Sequence, residues 1–268
     1  MKIAVTGGGG FIGRSVIRHA RLAGHDPFAF DRTGGHDVLG DLTGLDSAGA
    51  VIHLAGLLGT SELFDNPEEA IHANVIGTLR ILQWCQTATA RFVAVTMPPV
   101  FPSVYAATKV CADRLASAWH LTHQVPVAKV CAFNAFGPGQ KYGPGHPQKI
   151  IPTFAVKAWA GEPIPIWGDG EQAVDLIHVD DIGRMLVAAL DHGDDIVFDA
   201  GTGVPLTVNE VASFVLHITG SQAGIRYLPM RDGELPTTVC AVGAGWDRID
   251  WRPTFSWDRL AETILSYR

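Results

Sequence analysis

The chain has 268 residues, of which 47% are hydrophobic and 18% charged, and its formal net charge at pH 7 is −7. A sequence this apolar buries enough surface to offset the entropy lost on folding, so an intrinsically disordered chain is excluded. The acidic balance argues against a surface that binds nucleic acid non-specifically. No apolar stretch approaches the roughly 20 residues that a membrane span needs, and glycines follow the first strand too early for a signal peptide.

Apolar runs alternate with helical patterns along the first half of the chain. The predicted elements are a strand at 2–6, a helix through 16–22, strands at 27–31 and 50–54, a helix at 66–86, a strand at 91–96, a helix at 105–123 and a strand at 127–133. Asn66 is the predicted N-cap of the 66–86 helix, with Pro67 at its first position. Short helices near 151–160, 180–190 and 209–218 follow, with short strands between them. This alternation predicts an α/β fold, a doubly wound parallel sheet with helices on both faces.

Neither cysteines nor histidines form a recognisable ligand pattern. The four cysteines lie far apart with no C-x-x-C pair, so we expect buried, reduced thiols in a cytoplasmic protein. No histidine or cysteine cluster has the spacing of a metal site, and we therefore expect no metal.

A glycine-rich turn, Thr6-Gly7-Gly8-Gly9-Gly10-Phe11-Ile12-Gly13, joins the first strand to the first helix. Glycines let the backbone approach a pyrophosphate, and the helix N-terminus supplies N–H donors and a favourable dipole. The pattern, T-G-x-x-G-x-x-G, predicts a dinucleotide site in which Gly7, Gly10, Phe11 and Ile12 contact the cofactor.

Two acidic residues lie at the end of the second predicted strand and in the loop after it. Asp31 stands where a carboxylate binds the adenosine ribose hydroxyls, which favours NAD over NADP because a carboxylate repels a 2′-phosphate. Arg32 beside it keeps NADP open as an alternative. Asp41 and Leu42 are candidates for holding adenine, and an ordinary loop carboxylate is the alternative for Asp41.

Tyr105 and Lys109 form a Y-x-x-x-K pair at the start of a predicted helix. A spacing of four residues places both side chains on one face of the helix. An ammonium beside a tyrosine lowers the pKa of the phenol, and a phenolate then serves as a base toward a substrate hydroxyl. The pair is thus predicted to be catalytic; a surface lysine behind a half-buried tyrosine is the alternative.

Together these motifs resemble the extended short-chain dehydrogenase/reductase family, in particular its NAD-dependent epimerase/dehydratase group. The resemblance spans nearly the whole chain. The segments that carry it are 6–13, 51–56, 74–78, 105–109, 134–140, 166–170, 175–181, 198–201, 231–234 and 250–253.

The resemblance implies a Rossmann domain over residues 1–140 and a smaller, interleaved part over 141–268 that binds a nucleoside diphosphate sugar. It implies that Tyr105 is the base, that Lys109 is its electrostatic partner and a ribose ligand, and that a sugar carbon is oxidised to a 4-keto group and reduced on its other face. The further cofactor residues that it implies are Leu54, Ala55, Gly56, Asn74 and Phe133. The implied substrate residues are Thr60 and Ser61 beside the sugar, Asn134 and Arg231 at the phosphates, and Lys149, Ile150, Pro165 and Trp167 along the sugar and base.

The sequence departs from the family pattern beside the reacting carbon. The usual catalytic Ser or Thr aligns with Met97, which cannot relay a proton, and Thr96 is the neighbouring hydroxyl. Pro98-Pro99 stand where related 4,6-dehydratases carry Asp-Glu, which argues against dehydration chemistry. Val174 replaces an arginine that often contacts phosphate. A UDP-glucose 4-epimerase-like reaction is expected; the alternatives are an oxidoreductase acting on another carbonyl, and a binding protein with impaired catalysis.

The predicted helices at 66–86 and 105–123 carry wide apolar faces. Part of each face covers the sheet. The resemblance implies that the remainder forms a four-helix interface, so a homodimer is expected.

Overall fold

The computed structural model describes residues 1–59 and 61–268. The strands are β1 Lys2–Thr6, β2 Asp26–Phe30, β3 Ala50–His53, β4 Arg91–Thr96, β5 Val127–Ala132, β6 Asn134–Phe136, β7 Ile164–Trp167, β8 Ala173–His178, β9 Asp194–Ala200, β10 Pro205–Thr207 and β11 Ile225–Leu228. The helices are α1 Phe11–Leu22, α2 Pro67–Ile71, α3 Gly77–Ala88, α4 Val104–His123, α5 Ile150–Trp159, α6 Val179–Ala188, α7 Val208–Thr219 and α8 Trp257–Leu265.

The main sheet has the strand order β2-β1-β3-β4-β5-β9, and all its strand pairs are parallel. Side chains such as Val16 of α1 and Leu186 of α6 pack on one face, whereas Leu82 of α3 and Ala116 of α4 pack on the other. Burial of apolar side chains on both faces of a parallel sheet requires this helical cover. The predicted doubly wound α/β fold is confirmed, and β9 brings a strand from the second half of the chain into the main sheet.

A smaller body is built mainly from the chain after residue 140, together with β6. It contains the sheets β10-β8-β6 and β11-β7, and its core lies between these sheets and α5, α7 and α8. Phe154, Val211 and Leu260 are buried in that core. The domain boundary near Gln140 stays a prediction. No helix in the described parts of the chain is long and apolar enough to cross a membrane.

Several details differ from the sequence-based expectations. The predicted 66–86 helix is divided, because a π-helical turn, His72–Ile76, separates α2 from α3. Asn66 is the N-cap of α2 and Pro67 its first residue, as predicted, although the Asn66 side chain makes no capping hydrogen bond. Asp31 lies one residue beyond β2 rather than inside it. All four cysteines are free, but Cys111 is exposed, so the expectation of buried thiols was wrong for this residue.

Candidate active site

The loops that follow β1, β3, β4 and β5 meet at one edge of the main sheet, because the carboxyl ends of parallel strands lie together. Strand β1 lies between β2 and β3, so the chain reverses its direction of winding beside β1. Ligands of doubly wound sheets bind at such a point. Both the glycine-rich turn and the Tyr105 helix start at this edge.

The glycine-rich turn leaves no room for a side chain at Gly8 or Gly13. A Cβ atom at Gly13 would lie 2.3 Å from the Gly7 carbonyl oxygen, and one at Gly8 would lie 2.8 Å from the Ala29 Cα. Gly7 also has a left-handed backbone with φ of 69°. Helix α1 starts at Phe11, and neither a capping side chain nor an acidic residue covers its first turn. The turn therefore presents backbone N–H groups at a helix N-terminus, as a phosphate site requires.

Asp31 lies beside the glycine-rich turn and is hydrogen-bonded to it. Its carboxylate accepts hydrogen bonds from the Gly9 N–H, from the Thr33 hydroxyl at 2.6 Å and from the Gly34 N–H at 3.1 Å. These bonds, that of Thr33 first, hold the pKa of Asp31 below its usual value. Arg32 instead forms an exposed ion pair with Asp37 at 3.0 Å. Asp31 thus presents a negative charge at the phosphate turn, which disfavours a 2′-phosphate.

The two adenine candidates occupy different environments. Asp41 is exposed and accepts bonds from the Thr43 N–H at 3.0 Å and the Thr43 hydroxyl at 2.7 Å, which lower the pKa of its carboxyl. Leu42 is half-buried against the core beneath α3. The contacts of Asp41 are those of a turn and do not connect it to Asp31 or to the glycine-rich turn.

A buried hydrogen-bond chain holds the loop after β3, which contains the predicted cofactor residues Leu54, Ala55 and Gly56. The Thr6 hydroxyl accepts from the N–H groups of Leu54 and Ala55, both at 3.1 Å, and lies 2.8 Å from His53 Nδ1. His53 Nε2 lies 3.0 Å from the Thr78 hydroxyl, which itself donates to the Asn74 carbonyl at 2.7 Å. His53 therefore donates from Nε2 and accepts at Nδ1. Burial lowers its pKa to about 3, so the ring is neutral.

Asn74, in the π-helical turn, fastens the same loop to α4. Its Oδ1 accepts from the Leu57 N–H at 2.7 Å, while Nδ2 donates to the Leu57 carbonyl at 3.1 Å and to the Thr108 hydroxyl at 3.0 Å. Thr108 in turn donates to the Tyr105 carbonyl at 2.9 Å. Both donors of the Asn74 amide are used within the chain. Asn74 therefore holds the loop and Tyr105 in register rather than offering a donor to a cofactor.

Tyr105 lies in the first turn of α4, which Ser103 caps by accepting the Ala106 N–H at 3.1 Å. Burial raises the pKa of Tyr105 to about 12 and lowers that of Lys109 to about 8. The expected lowering of the phenol pKa was thus wrong for the chain alone. The helix N-terminus still favours a phenolate, because its dipole is positive at that end.

The remaining predicted site residues lie at the ends of the central strands. Thr96 ends β4 and pairs in register with Cys131 of β5, and Met97 follows it. Phe133 lies between β5 and β6, where its N–H donates to the Ala200 carbonyl at 3.0 Å, and Asn134 begins β6. Thr60 and the Ser61 side chain lie outside the described residues.

A cavity of about 140 Å³ lies in the smaller body. It brings together residues from three separate segments that sequence reasoning assigned to the substrate. These are Lys149, Ile150, Pro165, Trp167 and Arg231.

Arg231 is held in this cavity by two neighbours. Its guanidinium lies 4.7 Å from the centre of the Trp167 ring, and its Nε and Nη2 atoms are each 2.8 Å from a Glu234 carboxylate oxygen. Glu234 has only 7% of its side chain exposed, so this two-point pair compensates a buried charge. Burial lowers the pKa of the Lys149 ammonium, while the Glu62 carboxylate opposes that change.

Two polar atoms in the cavity wall were not foreseen from the sequence. Thr153 Oγ1 and Gln172 Oε1 are buried and have no hydrogen-bond partner within the described residues. The Gln172 amide is oriented by its Nε2 atom, which donates to the Trp167 carbonyl at 2.8 Å. Leaving such atoms unpaired costs about 1–3 kcal/mol each, so a ligand that bonds to them is favoured. No sequence pattern marks Thr153, whereas Gln172 follows the Trp-Gly-Asp-Gly turn, which is one of the segments that carry the family resemblance.

The match to a family model decides the classification. Residues 3–102 and 94–201 match the model described as the NAD dependent epimerase/dehydratase family. The chain belongs to this family. It is accordingly an NAD-dependent enzyme of the epimerase/dehydratase type, and its cofactor is NAD.

The relatives of the chain include both epimerases and dehydratases. It is 28% identical over 228 residues to the UDP-glucuronate 4-epimerase of Thermodesulfobacterium geofontis, covering 78% of this chain and 69% of that protein. The structure of dTDP-glucose 4,6-dehydratase from Streptomyces venezuelae with NAD bound is 26% identical, with a TM-score of 0.87 and coverage of 100% and 97%. The structure of UDP-glucose 4-epimerase from Thermotoga maritima has a TM-score of 0.89 at 24% identity, with coverage of 100% and 99%, and shows the shared fold.

Proposed function

We propose that the protein is a 4-epimerase of a nucleoside diphosphate sugar, similar to UDP-glucose 4-epimerases. The observation that carries the proposal is the cavity that joins Lys149, Trp167 and Arg231, in a chain that also places Tyr105 at the start of α4. A cation, an aromatic ring and a half-buried arginine suit a diphosphate attached to a flat base.

The cavity wall favours a base with an N–H beside a carbonyl, as in uracil and thymine. Gln172 Oε1 accepts from such an N–H, and the Thr153 hydroxyl donates to the adjacent carbonyl. Trp167 offers a flat face for stacking. The Nη1 atom of Arg231 takes no part in the Glu234 pair and is the donor that we assign to a phosphate oxygen.

In this reaction Tyr105 holds and moves the proton. Its phenolate removes the proton from the sugar 4-hydroxyl, and the neutral phenol returns it after the keto sugar has turned over. Bound NAD supplies the hydride acceptor and donor, and its positive ring favours the phenolate. Lys109 favours the same phenolate by its charge and binds the cofactor ribose. Thr96 is the hydroxyl that we assign to the substrate oxygen, in place of the Ser or Thr for which Met97 stands.

Epimerisation is preferred over 4,6-dehydration because elimination of water needs an additional acid and base beside the sugar. Pro98 and Pro99 occupy the positions of the acidic pair in the resemblance described above, and neither ring titrates.

The test is turnover by the purified protein with UDP-glucose, UDP-glucuronate and dTDP-glucose, each followed by chromatography. We expect interconversion of one 4-epimeric pair without net NADH, and loss of turnover in Tyr105→Phe. Formation of a dehydrated 4-keto-6-deoxy sugar, or net NADH, would replace the proposal with a dehydratase or an oxidoreductase. Binding without any turnover in the unmodified protein would favour a binding protein.

We also propose that two copies associate through α3 and α4. Val110 and Leu121 of α4 are 55% and 77% exposed, and Ile76 before α3 is 37% exposed. Large apolar side chains that remain exposed on paired helices are typical of interfaces. Light scattering should give twice the 28.7 kDa mass of the chain, and a monomer at micromolar concentration would contradict the proposal.

A further inference from the structure

A group of charges around a buried lysine lies between α4 and the sheet, away from the cavity. Lys129 of β5 is 5% exposed, and its ammonium lies 3.3 Å from an Asp113 oxygen and 3.1 Å from an Asp195 oxygen. The ammonium also donates to the Ser117 hydroxyl at 2.9 Å. Two carboxylates around one ammonium leave this triad, Asp113–Lys129–Asp195, with a net charge of −1.

The backbone of β9 is distorted where it supplies Asp195. Val127 pairs with Asp194 and Ala128 with Ile196, so Asp195 is the extra residue of a β-bulge. Its φ is 58°, a left-handed conformation that costs most residues about 1–2 kcal/mol. Bulges redirect a side chain and are common next to active sites. Here the bulge places the Asp195 carboxylate against Lys129.

The triad is linked to the catalytic pair through α4. Tyr105, Lys109, Asp113 and Ser117 follow one another at intervals of four residues and form one stripe along the helix. Within the described residues, Lys109 has no hydrogen bond or ion pair of its own. Burial lowers the pKa of its ammonium, and the Asp113 carboxylate opposes that effect.

Three titratable groups around this stripe, His53, Cys131 and Tyr105, are neutral at pH 7. Burial lowers the pKa of His53 in β3 to about 3 and raises that of Cys131 in β5 to about 12. Tyr105 is neutral for the same reason. The Asp199 carboxylate of β9 accepts hydrogen bonds from the N–H groups of residues 242–244.

We propose that Asp113 is a positioning residue for Lys109. Lys129 and the bulged Asp195 hold Asp113 against the sheet. The net negative charge of this triad keeps the Lys109 ammonium charged beside Tyr105. The catalytic role of Lys109 rests on the proposed function, whereas the electrostatic effect of Asp113 on the Lys109 ammonium does not. A mere packing role for the triad would leave the ionisation of Lys109 unchanged.

The test measures that ionisation directly, without cofactor or sugar. Competitive acetylation with acetic anhydride from about pH 6 to about pH 11, read by mass spectrometry of the Lys109 peptide, gives the midpoint of the amine. In Asp113→Asn we expect the midpoint to fall and acetylation at pH 7 to be about three- to tenfold faster. In Lys129→Met the sign reverses, because two carboxylates lose their cation, and acetylation should slow by a similar factor.

Matched variants separate this effect from damage to the fold. Asp113→Glu should restore the original midpoint, and Asp46→Asn, which removes an exposed carboxylate, should leave it unchanged. If Lys129→Met does not fold, Asp195→Asn replaces it and should lower the midpoint as Asp113→Asn does. An unchanged midpoint in Asp113→Asn, or equal shifts in Asp113→Asn and Lys129→Met, would overturn the proposal. Turnover with nucleotide sugars is a separate measurement, so failure of the proposed function would not be confused with this result.

Discussion

Replacing Gly13 by alanine tests whether the glycine-rich turn is a phosphate cradle. The added Cβ would lie 2.3 Å from the Gly7 carbonyl oxygen and 2.7 Å from both the Gly8 Cα and the Gly8 oxygen. An ordinary contact is about 3.4 Å, so α1 and the turn must separate by roughly 1 Å, because all three neighbours are backbone atoms. Overpacking of this kind costs about 1–3 kcal/mol. For a chain of this size, the melting temperature should fall by about 2–12 °C.

Cofactor affinity should fall further than stability alone explains. A shift of about 1 Å removes N–H groups from hydrogen-bonding range of a pyrophosphate, and each such bond to a charged group is worth about 1.5–3 kcal/mol. The Kd for NAD, measured by calorimetric titration, should therefore rise about 10- to 150-fold for each bond lost.

Gly24→Ala is the matched control. Gly24 has a φ of 77° and no atom within 4 Å of an added Cβ, so its replacement strains the backbone at the other end of α1 without touching the turn. It should cost about 1–2 kcal/mol and leave the Kd for NAD unchanged. The reasoning would be refuted if Gly13→Ala bound NAD as tightly as the unmodified chain, or if Gly24→Ala weakened NAD equally.

Three further outcomes follow from the site. Asp31→Ser should shift the preference from NAD toward NADP by about tenfold or more, because the carboxylate that repels a 2′-phosphate is removed. The measurement is the ratio of the Kd values for NAD and NADP. An unchanged ratio would argue against Asp31 as the ribose ligand. The pKa of His53 is about 3 in the folded state, below its value near 6.5 in the unfolded state. Between these two values the unfolded state binds more protons than the folded state. The free energy of unfolding therefore falls as the pH falls from about 6.5 to about 3. Urea unfolding at pH 7, 5 and 4 should show a steeper loss of the free energy of unfolding in the unmodified protein than in His53→Gln, by about 3 kcal/mol at pH 4. Parallel curves would contradict a buried neutral ring. Trp167→Ala should weaken UDP about tenfold in a titration while leaving the Kd for NAD unchanged, and equal affinity would place the base outside the cavity.

Local patterns in the sequence determined the parts of the protein that depend on neighbouring residues. Alternation of strands and helices predicted the parallel sheet, and the short spacing of the glycines predicted the turn between β1 and α1. The Y-x-x-x-K interval placed Tyr105 and Lys109 on one side of α4 because the helical repeat relates residues four apart. Such features require no knowledge of the rest of the chain.

The ionisation of the site was decided by tertiary structure, because burial and charge depend on residues far apart in sequence. The pKa of Tyr105 is raised by burial rather than lowered by Lys109, and Asn74 uses its amide donors on Leu57 and Thr108. That the Thr153 hydroxyl lacks a hydrogen-bond partner within the described residues depends on the packing of α5 beside β7, which the sequence does not show. Likewise, the β-bulge at Asp195 depends on the pairing of β9 with β5, so the group of charges behind Lys109 has no signature in the sequence.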